Sequence, residues 1–124
     1  MALSEQEQHT ERARRGRPEV ADVGVLAAEL LQQAREHHSR RAARTLVAGN
    51  SQRVTLIALA EGAELAEHDS PSAATLHVIT GRVRLSTHDH DRLLDHGQLT
   101  AIPPERHSLT AFLDSAVLLT VALH

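Results

Sequence analysis

Between residues 18 and 38 the apolar positions recur at intervals of three and four. Val23, Leu26, Ala27, Leu30, Leu31 and Ala34 fall on one face of a helix, with Glu29, Gln32, Gln33 and Glu36 on the other. Pro18 fits the first turn of such a helix, where its missing N–H costs nothing, and Asp22 is a second candidate start. The apolar stripe needs a surface to cover, either the outside of the same domain or a second subunit. From Ala42 onward the pattern changes. Short runs rich in Val, Leu, Ile and Thr follow one another at Arg44–Ala48, Val54–Ala60, Thr75–Ile79, Val83–Ser86, Arg92–Leu94, Leu99–Ile102, Ser108–Ala111 and Val117–Leu123. Turn residues separate them, among them Gly49-Asn50-Ser51, Glu61-Gly62, Thr80-Gly81, His96-Gly97 and Asp114-Ser115. Many short strands with regular turns predict an all-β sandwich or barrel behind a single N-terminal helix.

Composition narrows this picture. A chain of 124 residues has the length of one domain, and 41% hydrophobic residues suffice for one core. With one Phe and no Trp or Tyr, that core must be built from Val, Leu, Ile and Ala. The pattern divides the chain into a polar tail over 1–17, a helix and linker over 18–41, and a barrel over 42–124. In the tail, Glu5, Glu7 and Glu11 stand against Arg12, Arg14, Arg15 and Arg17, a charge mixture with little to bury. The net charge of −3 and the near absence of aromatic side chains argue against nucleic acid as a partner. No run of eighteen apolar residues could cross a membrane, and no apolar segment follows the polar start, so a cytoplasmic protein is expected. The absence of Cys excludes disulfides, thiolate metal sites and a Cys nucleophile.

Two glycine-bounded segments carry the candidate chemistry. Gly62 leads by five residues to His68, with Ser70 two positions on, then Ala74, then Gly81 after six more. Gly97 leads by five residues to Pro103, followed by Glu105 and His107. Each glycine suits a corner where the chain turns without a Cβ. His68 and Ser70 share a strand parity, so both can face the interior of a barrel. His77 lies three residues after Ala74, which puts it on the opposite face.

In this spacing the two segments resemble the paired motifs of the cupins. The resemblance spans about residues 42–123 and implies a double-stranded β-helix, the jelly-roll barrel of that family. It also implies a site inside the barrel, where cupins converge two His and a Glu from the first motif with a His from the second. Such a set binds a divalent transition metal and serves oxygenases, isomerases and decarboxylases of small molecules. Here Ser70 stands at the second His position and Ala74 at the Glu position. Of the family's ligand set only His68 and His107 remain, a degenerate metal site. The expected site is therefore His68, Ser70 and His107, with Leu76 and Val78 as its apolar wall. The two His are the candidate metal ligands if a metal binds at all.

Other clusters have plainer readings. His88-Asp89-His90 reads as a polar hairpin loop and His37-His38 as a helix C-terminus, where an imidazolium is favourable. Arg40, Arg41 and Arg44 read as a charged strand edge. Glu105 and His107, two residues of one tight turn, are poorly placed to act as an acid–base pair. Two functions follow. One is a small-molecule-binding protein, such as a sensor, with its ligand in the barrel. The other is a metal-dependent enzyme that completes its metal shell with water or substrate. A homodimer is expected, because the helix stripe and the apolar strand Ala116–Leu123 both need cover.

Overall fold

The computed structural model describes residues 20–68 and 73–123. Helix α1 (Val23–Glu36) starts at the second candidate position: the Asp22 carboxylate accepts a 3.2 Å hydrogen bond from the Val25 N–H. Pro18, the other candidate, lies outside the described residues. The helix ends where the N–H of His37 reaches the carbonyls of Gln33 and Ala34. Nine strands follow among the described residues: β1 (Arg41–Ala48), β2 (Gln52–Leu59), β3 (Glu64–His68), β4 (Ala74–Thr80), β5 (Arg82–Thr87), β6 (Asp91–Asp95), β7 (Leu99–Ala101), β8 (His107–Ala111) and β9 (Ser115–Ala122). They form two antiparallel sheets, one in the order β1-β2-β9-β4-β7 and one in the order β3-β8-β5-β6.

The barrel core lies between the sheets. Leu59, Leu76, Val78 and Val117 from the first sheet meet Val83, Leu85, Leu94, Leu109 and Ala111 from the second. The helix closes a second layer on the outside of the five-stranded sheet. There Ala27, Leu30, Leu31 and Ala34 bury against Leu56, Ala58 and Ala116. Strands β2 and β9 therefore bury both faces, Leu59 and Val117 inward, Leu56 and Ala116 toward the helix. Of the two apolar surfaces behind the homodimer expectation, the helix stripe packs on the sheet, while in the C-terminal strand Ala116 and Val117 are buried and residues 118–123 are half-buried.

Two strands depart from the sequence pattern. Strand β1 begins at Arg41 rather than Arg44, as an edge strand that carries both arginines. Strand β3, Glu-Leu-Ala-Glu-His, has no β-branched residue and does not stand out as an apolar run, yet it pairs with β8. Tertiary pairing overrides its weak propensity.

A polar latch ties the helix to the turn between β8 and β9. The Asp114 carboxylate takes 2.7 Å hydrogen bonds from the Arg35 Nε–H of α1 and from the Glu61 backbone N–H. The amide N–H of Glu61 first, then the Arg35 guanidinium, hold the Asp114 carboxyl below its ordinary range. A carboxyl depressed in the folded state stabilises the fold above its unfolded value of about 3.9. That contribution is lost as pH falls through the lower folded value. The urea midpoint should accordingly decline below about pH 4, and Asp114→Asn should flatten that decline. Equal pH profiles for the two proteins would show that the latch contributes nothing.

Candidate functional site

Register places the second-motif His at the centre of one end of the four-stranded sheet. His107, the first residue of β8, pairs with His68 at the end of β3 on one side and with Thr87 at the end of β5 on the other. Both motifs thus meet in the backbone. The irregularity between Leu65 and His68 is what brings His68 into this row. Ser70 lies outside the described residues. The His107 ring is buried, 3% exposed. Its Nδ1 lies 2.9 Å from the Glu105 carbonyl oxygen. A carbonyl only accepts, so Nδ1 is the donor in this contact.

His107 lines a recess of about 30 Å³ whose other described lining residues are aliphatic: Ile57, Leu65, Leu76, Leu85, Ile102, Leu109 and Leu119. Leu76 is part of the expected apolar wall. Val78, two residues on along the same strand face, is fully buried in the barrel core and does not line the recess. His77 falls between these inward residues, on the outward face of β4.

A wider and more polar hollow of about 160 Å³ shares Leu85 with this recess. It is lined further by Thr87, Asp89, His90, Arg92, Pro103 and Glu105. Arg92 is opposite Leu85 in register, so its side chain leaves β6 on the interior face. From there its Nη1 donates to Thr100 Oγ1 at 3.1 Å, across to β7 of the other sheet. Thr87 donates through both its N–H (2.7 Å) and its hydroxyl (3.1 Å) to the His90 carbonyl, which holds the hairpin loop at the rim. Asp89, His90 and Glu105 read from sequence as parts of ordinary turns, and Arg92 only as part of a strand. Their meeting depends on which strands pair, and no local pattern encodes that.

The ligand set that the fold implies is a divalent metal held by at least three side chains. Among the described residues no three His, Asp or Glu side chains gather to hold an ion. Around His107 the described lining is otherwise hydrocarbon.

Compared by sequence, the chain matches no protein-family model and no curated protein. Solved structures do resemble it. A conserved protein of unknown function from Streptococcus pyogenes superposes with a TM-score of 0.66 at 23% identity, over 86% of this chain and 88% of that one. A cupin superfamily protein from Desulfitobacterium hafniense gives 0.63 at 13% identity, over 68% of this chain and 78% of the other. A salicylate 1,2-dioxygenase from Pseudaminobacter salicylatoxidans gives 0.66 at 15% identity, over 77% of this chain but only 32% of the dioxygenase. At these identities the likeness is one of fold. The chain has the cupin fold, a small RmlC-like jelly-roll barrel with one helix packed outside it.

Proposed function

We propose that the protein binds a small polar molecule inside the mouth of its barrel, without a metal ion as the organising centre. The observation that carries this reading is His107, among the described residues the one polar side chain lining an otherwise aliphatic recess that shares Leu85 with the hollow at the rim. The aliphatic lining leaves most of the contact with a ligand to shape, with the buried imidazole as a polar group in its wall. The expected set His68, Ser70 and His107, with Leu76 behind it, belongs to this proposal. Thr87 and Arg92 extend it outward. The metal-dependent alternative finds no donor set among the described residues to favour it.

The test combines ligand detection with one substitution. Small polar fragments titrated into ¹⁵N-labelled protein should shift the amides of Thr87, Arg92 and His107. His107→Leu fills the same recess with hydrocarbon, so stability should change by no more than about 1 kcal/mol, since the surrounding lining is apolar. Binding should fall about tenfold or more, through loss of the polar imidazole from the wall of the site. If the variant binds fragments as well as the parent does, or unfolds readily, His107 is a structural residue and the reading fails.

A further inference from the structure

We propose that the hollow at the barrel mouth takes a zwitterion, a small α-amino acid with a short aliphatic side chain. This rests on the reading of the mouth as the binding site and adds the ligand class. The argument begins with charges that do not neutralise one another. Elsewhere on the protein, neighbouring opposite charges close onto each other, as in Arg35–Asp114 at 2.7 Å, Arg82–Asp95 at 2.6 Å and Arg106–Glu67 at 2.8 Å. Arg92, Asp89 and Glu105 line one hollow of about 160 Å³, yet no ion pair joins Arg92 to either carboxylate. The hydrogen bond that Arg92 makes goes to the uncharged Thr100. Among the described residues, Asp89 is paired only with the His90 ring, 3.5 Å away.

The residues lining the hollow therefore include one cationic and two anionic side chains that are not paired with one another. A simple anion drawn to Arg92 would also meet two negative charges. A simple cation would meet Arg92. A molecule with a carboxylate and an ammonium on one carbon answers both. Its carboxylate matches the planar fork of Arg92, and its ammonium, with three donors, suits Asp89 and Glu105. Leu85 and Pro103 supply apolar wall beside these charges, and the recess of about 30 Å³ that shares Leu85 has room for one small group. That limits the side chain to a few carbons and excludes an aromatic ring.

The experiment uses the whole chain, ¹⁵N-labelled, titrated separately with L-alanine, L-valine, propionate, ethylamine and L-phenylalanine. L-Alanine or L-valine should give saturable shifts at Thr87, Arg92 and Glu105. Propionate and ethylamine, each lacking one charge, should bind at least tenfold more weakly, and so should L-phenylalanine. Arg92→Gln and Glu105→Gln should each weaken the amino acid about tenfold; the melting temperature should be unchanged in Glu105→Gln and fall only slightly in Arg92→Gln, which also loses the bond to Thr100. Propionate binding as tightly as L-alanine would overturn the proposal in favour of an anion site. If the amino acids fail but uncharged fragments still shift the same amides, the ligand class is wrong and the binding reading stands. If nothing shifts the mouth, both fall.

Discussion

Gly81→Ala is expected to destabilise the protein by about 3–5 kcal/mol, close to half the stability of many small domains. Gly81 joins β4 to β5 with φ at +96°, a conformation that costs an L-residue about 1–2 kcal/mol. The larger part comes from the space around it. A Cβ added there would lie 2.2 Å from Ser115 Oγ, 2.5 Å from the Asp114 carbonyl oxygen and 2.7 Å from the Ser115 Cα. Two of those three atoms are backbone and cannot swing aside. The turn before β9 is also held in place. The buried Ser115 hydroxyl accepts from the Arg82 N–H at 3.0 Å and lies 2.7 Å from the Leu113 carbonyl, to which it can donate. Gly62 and Gly97 provide the internal comparison. Their φ values are also positive, at +85° and +82°, but an added Cβ would meet nothing within 4 Å. Alanine at either should cost only the backbone term of about 1–2 kcal/mol. Urea unfolding of the three variants decides the matter. Equal losses at all three glycines would show that the close approach at Gly81 carries no weight.

The same three glycines show why the fold was legible in the sequence. Gly62, Gly81 and Gly97 all occupy corners that a Cβ strains, so local chemistry and topology agree there. The period of three and four before residue 38 likewise appears as a buried helical face. Legibility fails where pairing, not local pattern, decides. Strand β3 is half polar, and only its place beside β8 makes it a strand. The site divides along the same line. His107 is marked by the Gly-Pro-His spacing of its own segment, and it is buried in the barrel. Arg92 stands in a run whose other members, Leu93 and Leu94, point to opposite faces, one 60% exposed and one buried. Nothing within that run says that Arg92 faces inward toward Thr100. The register with Leu85 says so, and register is a property of two strands. The mouth draws on β5, β6 and the two loops that follow β5 and β7, which no short stretch of sequence could assemble.

Leu56→Ala should cost about 2–5 kcal/mol and should loosen the helix selectively. Leu56 is fully buried between the outer face of the five-stranded sheet and α1. Four of the seven buried residues in that layer are alanines, Ala27, Ala34, Ala58 and Ala116, so Leu30, Leu31 and Leu56 supply most of its bulk. Small residues let the helix lie close to the sheet, and they also leave little spare side chain to fill a void. The helix could settle into the cavity only by shifting its C-terminal end, where Arg35 is tied to Asp114. The void should therefore persist in part, which puts the loss well above the transfer term alone. Three residues along the same strand, Leu59 is equally buried but faces the barrel core. Leu59→Ala should cost a similar amount by a different route. Amide exchange separates the two. In Leu56→Ala, protection should fall across α1 first, with the amides of Thr87 and His107 keeping their parent shifts, because the helix layer and the barrel mouth lie on opposite sides of the sheet. In Leu59→Ala the barrel amides should respond and α1 should be spared. A loss under about 1 kcal/mol for Leu56→Ala, or equal disturbance of helix and mouth, would mean that the outer layer is not an independent packing unit.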